Sequence, residues 1–251
     1  MFKTLVARAR QGNRTIAYPA QDPDLPALFR GRPMLDPEKC VSGCARCVEI
    51  CPTDALRVTE RGPELDLGRC IFCGACEAAC PEGAITFGRD WRLAASTREG
   101  LVVSDDRAIA IDALGRELRR LLGRSLRLRQ VSAGGCNGCE VEVNALGNVV
   151  FDASRFGIEF VASPRHADGI LVTGPVSANM KDALRMTYEA VAEPKLVIAA
   201  GACTISGGIY REHSETSAGV EGLLPVDLYV PGCPPHPVTI LHGLLRLLGR
   251  T

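Results

Sequence analysis

Gly134-Gly135-Cys136-Asn137-Gly138-Cys139-Glu140 lies just past the middle of the chain, directly after the apolar run Leu126–Ser132. Two other cysteines stand in the same relation to runs of their own. Cys203, in Gly201-Ala202-Cys203, follows Leu196–Ala200, and Cys233, in Pro231-Gly232-Cys233-Pro234, follows Val226–Val230. Such runs predict short strands, as do Ile158–Ala162 and Gly169–Thr173, while Glu140–Leu146, Ser177–Ala192 and Val238–Leu248 predict helices. Short apolar strands alternating with helices predict an α/β domain with an open, mostly parallel, flavodoxin-like sheet covered on both faces. Sites on such sheets gather at the carboxyl ends of the strands. All four cysteines fall just beyond such ends, so the pattern predicts a four-thiolate site at one sheet edge.

The remaining composition narrows the chemistry. The chain has 251 residues, enough for one large or two small domains with proper cores. Lys+Arg and Asp+Glu are both 29 and aromatics are 5%, so no basic, aromatic surface recommends nucleic acid. Twelve cysteines in a chain without the apolar core of a signal peptide point to metal rather than to disulfides. No stretch approaches the ~20 apolar residues of a membrane span.

Eight of those cysteines form a repeat. Cys40, Cys44, Cys47 and Cys51 precede Pro52, and Cys70, Cys73, Cys76 and Cys80 precede Pro81. The second set has the spacing C-x2-C-x2-C-x3-C-P; the first carries one extra residue between Cys40 and Cys44. Three closely spaced cysteines can wrap three corners of a cubane, while the fourth, beyond a helical turn, reaches the other cubane. The spacing predicts one 4Fe-4S cluster on Cys40, Cys44, Cys47 and Cys80, and another on Cys70, Cys73, Cys76 and Cys51. With Cys136, Cys139, Cys203 and Cys233 the count is three clusters, and iron is the metal at all twelve. Structural zinc on four cysteines is the competing reading of the repeat. For the last four it is a thioredoxin-like pair plus two buried cysteines.

Residues 35–90 resemble the two-cluster ferredoxin subunits of respiratory complex I and of membrane-bound nickel–iron hydrogenases. Residues 127–249 resemble the cluster-bearing small subunit shared by those two families. The likeness is carried by Gly135-Cys136-Asn137-Gly138-Cys139-Glu140-Val141-Glu142, Ser163-Pro164-Arg165-His166-Ala167-Asp168, Val172-Thr173-Gly174-Pro175-Val176, Gly201-Ala202-Cys203 and Val226–Pro235. In the complex I branch the first two cysteines are adjacent; here two residues separate them, as in the hydrogenase branch, which includes formate hydrogenlyase-type enzymes. The resemblance implies an electron-transfer subunit of a membrane-associated hydrogenase, peripheral on the cytoplasmic face of the inner membrane. Its partners would be a nickel–iron large subunit and other subunits of the complex. A complex I-like quinone reductase subunit and a free-standing iron–sulfur carrier are the alternatives. No thiolate set is left for a nickel–iron centre, and no Gly-rich loop suggests a flavin or nicotinamide site, so the substrate site is expected on another polypeptide.

The expected organisation is an N-terminal helix and extended arm (1–34), a ferredoxin-like α+β domain with two clusters (35–90), a linker with an amphipathic helix (91–125) and the α/β domain (126–251). In the first helix Phe2, Leu5, Val6 and Ala9 share one side; it packs on its own domain or docks elsewhere. A second helix is expected to start near Asp105-Asp106, with Ile111, Leu114, Leu118, Leu121 and Leu122 as its stripe. By resemblance Glu142 is a proton-relay candidate near the cluster; capping the following helix is its plainer role, and Glu140 stands beside it. His166 and His236 flank the site loops without being expected ligands, and Arg165 is a candidate for facing a partner.

Overall fold

The computed structural model describes residues 2–104, 109–122 and 125–251. Helix α1, Phe2–Gln11, buries none of its residues fully; Val6 is half-buried, while Phe2 and Leu5 of the same stripe are exposed. The proline-rich arm that follows is tied to the second half of the chain. Arg155 donates to the carbonyls of Ile16 and Tyr18 at 2.8 and 2.9 Å, and the Tyr18 hydroxyl and His242 Nδ1 are hydrogen-bonded at 2.6 Å.

The cysteine repeat folds as two matching halves. Strand β1 (Pro33–Leu35) and helix α2 (Arg46–Glu49) lead to the hairpin of β2 (Leu56–Thr59) and β3 (Gly62–Asp66), then to helix α3 (Ala75–Ala79) and strand β4 (Ile85–Phe87). β1 pairs antiparallel with β4, β2 pairs antiparallel with β3, and α2 packs on α3. Strand β5 (Val102–Val103) extends the hairpin sheet by pairing with β3.

The connecting segment is packed rather than loose. Trp91, Leu93, Ala94 and Ala95 are buried, and Ala95 bridges Tyr229 in the last strand of the chain. Helix α4 covers Arg116–Leu122, so the helix is shorter than the apolar stripe suggests. Ile111 and Leu114 are buried ahead of it, and the Leu114 amide bonds to the Leu247 carbonyl at 2.9 Å, which removes it from a helix of its own. Leu121 is exposed. The expected start at Asp105-Asp106 lies outside the described residues.

The second half alternates as its pattern predicts: β6 (Leu126–Ser132), α5 (Gly138–Ala145), β7 (Ile158–Phe160), β8 (Gly169–Thr173), α6 (Ala178–Glu189), β9 (Leu196–Ala200), α7 (Ala202–Ser206), β10 (Leu228–Val230) and α8 (Pro237–Leu247). All five strands are parallel, in the order β10-β9-β8-β6-β7. The winding therefore reverses between β6 and β8, the crevice where parallel sheets bind ligands. β8 and β9 are buried along their whole length, which is why they read as unbroken apolar runs instead of alternating ones.

Each sheet face has its own core. On one face α5 and α8 pack Val143, Leu146, Leu241 and Leu244 against Leu126, Leu171 and Ile198. On the other, a single apolar cluster runs from Leu65 and Leu67 of the cysteine-repeat unit, through Leu101 of the connector, to Ile170, Val172 and Ile205 of the sheet domain. The two halves thus share buried surface, and their cysteine loops are held in a fixed relation.

Candidate metal centres

None of the twelve cysteines is in a disulfide, and they gather in three places. Cys40, Cys44, Cys47 and Cys80 line one cavity of about 510 Å³. Burial pushes the Cys40 thiol up, and charge on Cys44 and Cys80 adds to the rise. Cys51, Cys70, Cys73 and Cys76 line a second, smaller cavity. Burial pushes Cys70 up to about 12 and Cys76 up to about 11, with Cys51 and Cys73 among the neighbours that add to both. The fourth cysteine of each set has thus crossed to the other three: Cys80 lies with the first loop and Cys51 with the second.

Both crossed cysteines are held by the same local device. Cys51 Sγ accepts from the Ala55 amide at 3.2 Å, and Cys80 Sγ accepts from the Ala84 amide at 3.3 Å. The residue before each alanine, Asp54 or Gly83, has a positive φ (48° and 65°), which turns the amide back toward sulfur. In the second loop Phe72, at φ 55°, aims its amide at Cys70 Sγ from 3.3 Å. Amide donors to sulfur stabilise thiolate charge and tune a cluster's potential.

The third group assembles at the carboxyl edge of the parallel sheet. β6 opens into the Gly134–Cys139 loop, and α5 begins behind Asn137, which is left-handed at φ 71°, so that Cys139 sits in the first turn. Cys203 is in α7, immediately after β9, and Cys233 follows β10. Burial pushes Cys139 far up, with Cys203, Cys233 and Cys136 adding to it; Cys203 is pushed to about 11 by burial, with Cys233 and Cys136 contributing. Close approach explains the glycines. A Cβ on Gly201, whose φ is 93°, would lie 2.5 Å from Cys139 Sγ, and one on Gly208 would lie 3.0 Å from Cys203 Sγ.

The neighbouring polar residues separate into distinct roles. Glu140, in the first turn of α5, is buried, and its Oε1 accepts from both Ser132 Oγ and Thr173 Oγ1 at 2.7 Å. Burial opposes its ionisation, yet the two hydroxyls hold its carboxyl below the usual range. Glu142 is the fifth residue of α5, not a first-turn residue, so it does not cap that helix. It lines a pocket of about 230 Å³ together with Cys233 and His236, and burial raises its pKa. His236 caps α8: its Nδ1 accepts from the Val238 amide at 3.2 Å, and burial lowers its pKa, keeping the ring neutral for that task. Arg165 and His166 are in a short turn before β8, where none of the residues is buried. They lie at the amino end of the strands, the far edge from the cysteines.

Sequence reasoning missed Ser132 and Thr173, which it treated as strand residues, and the Ala55, Phe72 and Ala84 amides. The C-P-x-x-A repeat, Cys51 to Ala55 and Cys80 to Ala84, is the signal that was available for two of them.

The donor sets fit iron–sulfur clusters better than single ions. Among the described residues no three Cys, His, Asp or Glu side chains converge closely enough to share one metal ion. A structural zinc draws four sulfurs to ~2.3 Å from one point, whereas a cubane takes each sulfur at a separate corner. Thiols within electrostatic reach of one another but not converged, with amides aimed at sulfur and glycines where a Cβ would collide, match the second arrangement.

Paired cysteine loops joined to a thiol-edged parallel sheet define a redox protein of the iron–sulfur class. Residues 39–84 match the 4Fe-4S dicluster domain, and residues 136–247 match the family described as NADH ubiquinone oxidoreductase, 20 Kd subunit. The chain belongs to that 20 Kd subunit family. It is 45% identical over 132 residues to a probable membrane-bound hydrogenase subunit of Pyrococcus furiosus, covering 53% of this chain and 79% of that protein. It is 41% identical over 140 residues to formate hydrogenlyase subunit 7 of Escherichia coli, covering 56% of this chain but only 55% of that protein. Against an NADH-quinone oxidoreductase subunit of Citrifermentans bemidjiense the figures are 47% over 109 residues, 43% and 64%. A chain in the solved structure of an archaeal membrane-bound sulfane sulfur reductase is similar at 33% identity, with 53% and 73% coverage and a TM-score of 0.47. No helix of the described residues is long and apolar enough to cross a membrane.

Proposed function

We propose that the chain is the electron-relay subunit of a membrane-associated nickel–iron hydrogenase complex, carrying three 4Fe-4S clusters. The first is held by Cys40, Cys44, Cys47 and Cys80, the second by Cys51, Cys70, Cys73 and Cys76, and the third by Cys136, Cys139, Cys203 and Cys233. The observation that carries this reading is the gathering of twelve thiols into three separate sets of four. Clusters bound there supply one-electron transfer; the protein supplies order and spacing. Ile71 and Phe72 of the second loop share a pocket with Cys233 of the third set, and the Gly68 carbonyl accepts from Ser206 Oγ at 2.9 Å, just behind α7. The second set therefore lies between the first and the third, giving the sequence first, second, third or its reverse. The strand order, 2-1-3-4-5 counted from β6, supports a flavodoxin-like winding with the last centre at its switch point.

The arm (1–34), the two-cluster unit (35–90), the connector (91–125) and the α/β unit (126–251) then act as one tethered relay, peripheral to the cytoplasmic face of its membrane. The third centre faces a catalytic large subunit. The two residues between Cys136 and Cys139 favour the hydrogenase branch over the quinone reductase. Iron analysis of anaerobically purified protein is expected to give about twelve irons per chain, and about four or eight overturns the three-cluster reading. A captured large subunit with two C-x-x-C pairs supports a hydrogenase; one without them indicates the quinone enzyme.

A further inference from the structure

Glu140 is 7% exposed, and none of the ion pairs among the described residues includes it. A buried carboxylate without a cation is costly unless hydrogen bonds replace its lost hydration. Here the replacement is specific. Ser132 ends β6 and Thr173 ends β8, and the two are register partners in the sheet. Their hydroxyls converge on a single oxygen, Oε1, each at 2.7 Å. Gly135 leaves room for that oxygen: a Cβ there would stand 3.2 Å from it. The carboxylate is thus anchored at the switch point of the sheet, one residue from Cys139 and within electrostatic reach of Cys203.

We infer that Glu140 is a positioning residue that sets the reduction potential of the third centre, its fixed negative charge making that centre harder to reduce. The inference rests on the assignment of a cluster to Cys136, Cys139, Cys203 and Cys233. One electron delivered to that centre from an external reductant makes it more negative by one charge. A carboxylate locked nearby in a low-dielectric setting repels that charge, and burial shields the repulsion from salt. The first two sets differ: the carboxylates on the wall of the first cavity, Glu49 and Glu82, are exposed and screened by solvent, and no carboxylate lines the second. The arrangement biases the third potential without adding a ligand to its cluster. It also serves the helix, because a carboxylate in the first turn of α5 favours the macrodipole, so a purely structural role must be distinguished by the test.

The test is a mediator-controlled redox titration of the full cluster-loaded chain, followed by electron paramagnetic resonance, with the third centre identified as the signal lost in Cys139→Ser. Glu140→Gln keeps the size and hydrogen bonds but removes the charge. The expected result is a positive shift of the third midpoint potential, with the other two unmoved. Glu140→Asp against Glu140→Asn repeats the comparison at a shorter length, and the asparagine variant is expected to be the more positive. Equal potentials within both pairs overturn the inference alone. So does loss of the third centre in both amide variants while both carboxylates keep it, which makes Glu140 structural. A wild-type chain with no signal sensitive to Cys139→Ser overturns the cluster assignment and this inference with it.

Discussion

Gly201 concentrates the constraints on the third centre in one residue. Its φ of 93° disfavours any side chain, and a Cβ there would stand 2.5 Å from Cys139 Sγ. The backbone cannot withdraw, because the Gly201 amide bonds to the Val230 carbonyl at 2.8 Å and the Ala202 amide bonds to the Gly232 carbonyl at 2.9 Å. Gly201→Ala is therefore expected to displace Cys139 and lose the third centre, taking iron from about twelve to about eight per chain. Gly12 is the control: its φ is 65°, but nothing lies within 4 Å of an added Cβ. Gly12→Ala costs only backbone strain of about 1 kcal/mol and is expected to leave the iron content unchanged. If Gly201→Ala keeps all its iron, the cradle around Cys139 is looser than its geometry implies.

Between the cysteine loops, α2 and α3 decide which thiols meet. Each short helix carries the third cysteine of its set and turns the fourth across to the partner loop, where Ala55 or Ala84 donates to it. Cys51→Ser is therefore expected to abolish the same resonance signal as Cys76→Ser, while Cys80→Ser abolishes the one lost in Cys47→Ser. A match of Cys51→Ser with Cys47→Ser contradicts the crossed arrangement. This crossing was legible in the spacing alone, since a chain entering a helix leaves its own loop behind. The three central strands were equally legible: β6, β8 and β9 coincide with their apolar runs, and β8 and β9, buried on both faces, have no polar interruption to blur their ends. Other features depended on contacts far along the chain. Ile111 and Leu114 leave their helical stripe because Leu247 and its neighbours offer them a better core. The hydroxyl pair on Glu140 was hidden for the same reason. Ser132 and Thr173 are on different strands and meet only through strand register.

Across the whole molecule, the relay depends on the two halves holding still against each other. Arg98 carries much of that restraint. It donates to both oxygens of Asp66 in β3, at 2.8 and 2.5 Å, and its Nε lies 3.7 Å from Glu221 of the sheet domain, with the arginine side chain only 16% exposed. The Arg98 fork also covers Gly68, whose carbonyl is bound by Ser206, so the contact stands directly behind the second and third centres. Arg98→Met keeps the packing length but leaves the Asp66 carboxylate only the Gly68 amide at 2.9 Å and the looser Arg69 pair at 3.6 Å. The expected loss is on the order of 1–3 kcal/mol, the cost of breaking a mostly buried pair reduced for its residual exposure and for the partners that remain. Because one apolar cluster spans both halves, denaturation of the wild type is expected to be a single transition. In Arg98→Met it should move to lower denaturant and broaden as the halves uncouple. Each set's thiols come from within one half, so the variant should retain all its iron. Electron transfer between the second and third centres, followed after photoreduction, should slow. A variant with normal transfer and a single, unshifted transition would mean that the apolar cluster alone fixes the relay geometry.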